Sequence, residues 1–327
     1  MVLLEYRANS HVFKTVEGLE LTLDAHSPEV TQDGGSQVAL IHFHGGFFFL
    51  GQKSTFPPYW LINVCRRRSW TYVTPSYRLL PEATGQEMLS DAVDAFNWVS
   101  SNISQKIIVA GSSAGGYLAF HVASQASSPR PMAVLSVYGM NNLTDDRYTR
   151  GTTVMGIPEI PAIQFIADIE AAKTEQALSG YDFPLNPSTD KRFLWATIVH
   201  QQALFPELLT GIPNLGKQIK GSGMDAIPAE ARKFFSVPFK IEASFPPTAL
   251  VHGSSDRAVN IDQSTAVAGI LKASGVKVHL EVVEGKDHGF DAGFSEDIDV
   301  EEDGPKADSV LAQLKSVVAF LDDTVGS

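Results

Sequence analysis

The feature that most constrains this chain is Gly111-Ser112-Ser113-Ala114-Gly115-Gly116, set between the apolar run Ile107–Ala110 and a helical stretch, Gly115–Ala126. The small residues around Ser113 allow a very sharp strand-to-helix turn, and such a turn lifts the serine hydroxyl above the end of a sheet. The N-terminus of the following helix aims backbone N–H groups at developing negative charge. A serine hydroxyl is a weak nucleophile until a base removes its proton. The motif therefore predicts a histidine and an acid further along the chain. Ser112 lies off the motif centre.

The rest of the sequence supplies both on a regular frame. Val12–Val16 and Leu19–Ala25 predict an opening hairpin, and Val38–Phe43, Thr71–Thr74, Ala133–Val137, Thr248–Val251 and Val276–Val283 read as further strands. Several are almost continuously apolar, as strands buried on both faces are. Helical patterns at Met88–Val99, Asp262–Ala273 and Val310–Leu321 alternate with them. The alternation predicts an α/β class with a mostly parallel central sheet and helices on both faces. Residues 141–245 break it: helical stretches (Ile163–Leu178, Phe193–Leu209, Ala229–Phe235) are joined by Pro- and Gly-rich segments without a convincing strand. We expect a core of residues 1–140 and 246–327 with a helical cap, 141–245, inserted.

His288 lies just beyond Val276–Val283, and Asp256 just beyond Thr248–Val251. The chain order Ser113, Asp256, His288 is the one in which this kind of sheet assembles nucleophile, acid and base. The acid would hold the imidazole tautomer without taking its proton. Asp287, adjacent to His288, and Asp262, in the next helix, are weaker candidates for the acid; His121, His200 and His252 read as structural. His44-Gly45-Gly46-Phe47, after the Val38–Phe43 strand, would bring N–H donors beside the nucleophile. His42 and His44 could also be a metal pair, but no third ligand follows at metal spacing. Phe47–Leu50 reads equally as core or as pocket wall.

At these residues the chain resembles the hormone-sensitive-lipase-like branch of the α/β-hydrolases, with its His-Gly-Gly-Gly and Gly-Asp-Ser-Ala-Gly-Gly signatures. Tyr77-Arg78-Leu79-Leu80-Pro81-Glu82 and His288-Gly289-Phe290 extend the resemblance. It implies an α/β-hydrolase fold, a carboxylic ester hydrolase with a Ser-His-Asp triad, no cofactor, no metal, and a cap that shapes the pocket. It also implies an oxyanion hole of the Gly46, Phe47 and Ala114 N–H groups. Phe47 stands where the third glycine usually is, and Ser112 replaces the aspartate. The short segment before the first strand implies that more of the cap comes from the central insertion.

Bulk properties narrow the partners. A formal net charge of −12 repels phosphate backbones and anionic lipid, so no nucleic acid is expected. No apolar run reaches the roughly 20 residues that span a bilayer. Met1–Ser10 lacks the pattern of a secretory signal, and the single cysteine, Cys65, cannot form an intrachain disulfide. Asn102-Ile-Ser and Asn142-Leu-Thr then read as incidental rather than glycosylated. A cytoplasmic enzyme is the expectation, acting on a small-molecule ester or lactone, with a homodimer left open. The rival readings are a peptidase or amidase, a natural-product lyase using the same triad, and a non-catalytic ligand-binding homologue. Phe165, Phe183, Phe193, Trp195, Phe205, Phe234 and Phe235 are the aromatic candidates for an apolar pocket in the cap.

Overall fold

The computed structural model describes residues 6–28, 38–301 and 309–326; of the N-terminal segment read above, Met1–Glu5 falls outside them. Eight strands, β1 (Tyr6–Val16), β2 (Leu19–Pro28), β3 (Val38–Phe43), β4 (Thr71–Pro75), β5 (Lys106–Ser112), β6 (Ala133–Val137), β7 (Thr248–Gly253) and β8 (Val278–Val283), form one sheet. Their order is β1-β2-β4-β3-β5-β6-β7-β8. β1 pairs antiparallel with β2 and β2 with β4, while every pairing from β4 to β8 is parallel.

The helices are α1 (Tyr59–Arg67), α2 (Gly85–Asn102), α3 (Ala114–Gln125), α4 (Asp146–Thr149), α5 (Ala162–Ala172), α6 (Lys191–Gln201), α7 (Phe205–Thr210), α8 (Leu215–Ser222), α9 (Ser236–Phe239), α10 (Asp262–Ala273) and α11 (Ser309–Gly326). The period of two along the strands decides which helix covers which face. Ala39, Ile41 and Phe43 of β3 join a core with α2, α3 and α10. Val38 and Leu40 join the opposite core with α1 and α11. α2 begins at a capping box, in which the Thr84 hydroxyl accepts from Glu87 N–H while the Glu87 carboxylate accepts from Thr84 N–H.

Between β6 and β7 the described residues are helical or irregular, as read from the sequence, but the helices there are shorter than predicted. α5 ends at Ala172 rather than Leu178, and Leu178 beyond it meets another segment, its carbonyl accepting from Leu79 N–H (2.8 Å). The run Phe193–Leu209 splits into α6 and α7. Ala203 adopts a left-handed φ of 58°, and Pro206, at the start of α7, has no N–H to continue a helix. Ala229–Phe235 contributes only a 3-10 turn, Arg232–Phe234. α1, α4, α8 and α9 were not anticipated. α1 follows Pro57-Pro58, and all of Trp60–Cys65 is buried. Among the described residues no helix is long and apolar enough to cross a membrane.

Candidate active site

Ser113 sits between β5 and α3 with φ 55° and ψ −122°, outside the regions that L-residues favour. The glycines flanking it are required by close approach. A Cβ on Gly111 would lie 2.0 Å from Gly115 O, and one on Gly115 would lie 2.0 Å from Phe43 O. The turn is pinned to β6, where Ser113 N–H donates to Val137 O (3.0 Å), and Met140 N–H donates to Ser113 O (2.9 Å).

The Ser113 hydroxyl lies 3.0 Å from His288 Nε2, and His288 Nδ1 lies 2.7 Å from Asp256 Oδ2. With Nδ1–H donating to the carboxylate, Nε2 is left to accept from the serine. Asp256 Oδ1 accepts from the N–H groups of Ala258 (2.9 Å) and Val259 (2.8 Å), and His252 Nε2 approaches Oδ2 at 3.2 Å. Burial by itself would raise the Asp256 carboxyl. The hydrogen bonds from His252 and His288, the charge on His288 and the Val259 N–H outweigh it and hold the carboxyl well below the usual carboxylate range. Asp256 is thus kept ionised beside the imidazole.

The weaker candidates point elsewhere. The Asp287 carboxylate accepts from Arg257 N–H (2.9 Å), Arg257 Nε (2.6 Å) and the His288 backbone N–H (2.8 Å). Asp262 opens α10, its N–H bonded to Asn260 Oδ1 (2.9 Å). His252 is buried between Ser264 Oγ (2.8 Å) and Val259 O (2.9 Å). His121 lies buried on α3, and His200, buried on α6, donates Nδ1–H to Ala196 O (2.8 Å). His42 and His44 take separate partners. His42 Nε2 reaches Ser112 Oγ (2.9 Å), while His44 Nδ1 reaches Gly45 O (2.8 Å) and its ring stacks on Tyr77 at 4.3 Å.

The His44-Gly45-Gly46 loop passes beside Ser113: a Cβ on Gly45 would lie 2.9 Å from Ser113 Cβ. The N–H groups of Gly46, Phe47 and Ala114 donate to no carbonyl in the turns and loops of the described residues. The Phe47–Leu50 run divides between its two readings. Phe47 lines the pocket over Ser113, while Phe48, Phe49 and Leu50 are wholly buried.

Sequence reasoning missed a buried polar network under the imidazole. Tyr138 packs against His288 (ring centroids 4.7 Å apart) and donates its hydroxyl to Asp291 Oδ1 (2.5 Å), while Trp60 Nε1–H donates to Asp291 Oδ2 (2.7 Å). Burial pushes the Asp291 carboxyl up, against the pull of these two donors. The network ties the histidine loop to β6 and α1. The signal for Asp291 was its place three residues after His288; Tyr138 and Trp60 carried none.

The pocket above Ser113 holds about 220 Å³, with Phe47, Phe56, Met155, Phe183 and Ala292 as its apolar walls. Of the predicted aromatics, Phe183 lines it, and Phe165 and Phe193 line a second apolar cavity of about 690 Å³ that also touches Met155. Trp195, Phe205 and Phe235 are fully buried, and Phe234 packs against the core.

Residues 40–169 match the family model described as alpha/beta hydrolase fold. The chain has the α/β-hydrolase fold, as the resemblance its motifs carry implies, and this matched segment is similar to that family. Among individual proteins, it is 25% identical over 322 residues to the non-reducing polyketide synthase ausA of Penicillium brasilianum, an alignment covering 86% of this chain and 13% of that protein. It is 24% identical over 268 residues to Lipase 2 of Moraxella sp. (strain TA144), covering 78% of this chain and 54% of that one. The chain thus spans a small part of the synthase and about half of the lipase. An α/β-hydrolase superfamily protein from Enterococcus faecalis superposes with a TM-score of 0.66 at 20% identity, covering 98% and 100% of the two chains. An esterase from Pyrobaculum calidifontis superposes with a TM-score of 0.56 at 21% identity, covering 97% and 85%. At these identities the solved structures speak for the fold.

Proposed function

We propose that the chain is a serine hydrolase that cleaves carboxylic esters or lactones of small to medium apolar substrates through an acyl-enzyme. The observation that carries this reading is the unbroken chain from Ser113 Oγ through His288 to Asp256 (3.0 and 2.7 Å), opening into an apolar pocket. Ser113 attacks the carbonyl carbon as His288 Nε2 takes its proton. The developing alkoxide is held by the N–H groups of Gly46, Phe47 and Ala114. His288 then protonates the leaving alcohol, and water repeats the sequence on the acyl-enzyme. Residues 141–245 act in this reading as a cap, since Met155 and Phe183 from that segment close the pocket.

A panel of p-nitrophenyl esters of increasing acyl length, with an anilide as comparison, tests the reaction class. Esters are expected to turn over and the anilide not; anilide turnover at an ester's rate favours an amidase. A fluorophosphonate probe is expected to label Ser113, and its failure to do so supports a non-catalytic homologue. The acid assignment has its own test. Asp256→Asn is expected to lower kcat by about 10⁴-fold through the wrong histidine tautomer. Asp287→Asn is expected to do far less, because that carboxylate serves Arg257; the reverse order of effects reassigns the acid.

A second reading concerns the acyl group. Several relatives are non-reducing polyketide synthases, which favours a polyketide-derived acyl chain as substrate. Faster turnover of aryl-ketone esters than of straight-chain esters of equal size would support it.

A further inference from the structure

We propose that Arg192 is a positioning residue for this reaction. From α6 it holds the loop after His44 in a backbone conformation that Phe47 and Phe48 would otherwise leave. The inference rests on the ester-hydrolase reading, in which that loop supplies N–H groups to the alkoxide.

Three successive residues of the loop have positive φ: Gly46 (119°), Phe47 (57°) and Phe48 (69°). A glycine accepts this at no steric cost. An L-residue with a bulky side chain does not, and such strain persists only where the surroundings over-determine it. Local turns contribute, because Gly46 O accepts from the N–H groups of Phe49 (3.0 Å) and Leu50 (2.9 Å). The further hold comes from α6. Arg192 Nε donates to Phe49 O (2.7 Å), and Nη2 donates to Leu80 O (2.6 Å). Leu80 N–H in turn donates to Phe48 O (2.9 Å), so the guanidinium ties the loop and the segment braced against it into one unit.

The guanidinium is itself fixed. Glu82 accepts from Nη1 (2.5 Å) and Nη2 (3.0 Å), and both side chains are almost wholly buried. About two turns along α6, the His200 ring meets the Phe47 ring edge to face at 5.0 Å. One helix therefore grips the loop by main chain and by side chain. This also gives Glu82, from the Tyr77–Glu82 segment, a role: it aims the residue that aims the loop.

The test is a double-mutant cycle of Arg192→Lys and Phe47→Gly, read as kcat and KM on a p-nitrophenyl ester. Lysine keeps a charge beside Glu82, but one ammonium cannot serve two carbonyls and a carboxylate as the planar fork does. In the parent background Arg192→Lys is expected to lower kcat by about 10²-fold with KM within about 3-fold, the pattern of lost transition-state stabilisation. In the Phe47→Gly background, where a left-handed backbone is free, the same change is expected to cost less than about 10-fold. Equal losses in both backgrounds overturn the proposal, as does a change in KM alone or a kcat loss under about 3-fold in the parent. Should Arg192→Lys fail to fold, Glu82→Gln read in the same cycle decides, with rescue by Phe47→Gly again expected and its absence again overturning the idea. A parent that neither hydrolyses esters nor takes a fluorophosphonate at Ser113 defeats the ester reading instead. An active, labelled parent indifferent to both changes defeats this inference alone.

Discussion

Ser113→Ala is expected to lower ester turnover by about 10⁶-fold, close to the effect of removing the whole triad, because nucleophile, base and acid act as one unit. The reason is geometric. His288 Nε2 has one acceptor position, and the Ser113 hydroxyl occupies it at 3.0 Å. Without that hydroxyl no covalent acyl-enzyme forms, and what survives is a polarised carbonyl awaiting water. His288→Ala is expected to cost about as much, and the double variant scarcely more than either alone, the non-additive signature of a cooperating set. Alanine retains the Cβ, so the strained backbone at φ 55° is unrelieved and the urea midpoint should not move. Turnover near the parent's would refute the nucleophile assignment outright.

The second large effect is on stability. Urea midpoints are expected to fall steeply between about pH 6.5 and pH 4, well before general carboxylate protonation. His42, His44, His121 and His200 are all buried, and burial lowers them to about 3, 4, 4 and 3 respectively. A histidine whose folded pKa lies below its unfolded value binds more protons when unfolded. Its contribution is complete above the unfolded value, about 6.5, and is lost as pH falls toward the folded one.

Each such group changes stability by about 1.4 kcal/mol per pH unit inside that window. Four acting together approach about 5 kcal/mol per unit, comparable to the whole stability of many domains. Asp291, raised by burial, works in the opposite sense, one group against four. Asp256, held low, adds its own loss only at more acid pH. Equal urea midpoints at pH 7 and pH 5 would rule the account out. Proton uptake on unfolding, measured at pH 5.5, checks it independently.

Much of this molecule was legible because its signals are local. The six strands β3 to β8 were found to within two residues, and α10 to the residue, because apolar runs and helical spacing need no partner to be recognised. The Ser113 elbow was legible for the same reason: a turn this tight admits only small neighbours, so its sequence is a stereochemical record. Asp256 and His288 followed from chain order, each in a loop just past a strand of the sheet.

The segment between β6 and β7 was legible only as helical. Residues read there as helix instead meet distant segments, as Leu178 O accepts from Leu79 N–H, and helical period carries no record of that. Tyr138 and Trp60 meet Asp291 across 153 and 231 residues of sequence, so each of the two alone reads as ordinary core.

The sequence by itself determined the fold class and the candidates for nucleophile, acid and base, because strand period, turn stereochemistry and chain order are properties of neighbours. Tertiary structure alone decided which phenylalanine of the Phe47–Phe49 run lines the pocket and which side chain braces the loop beside Ser113. Those are contacts between segments distant in the chain, and a linear pattern holds no distance between them.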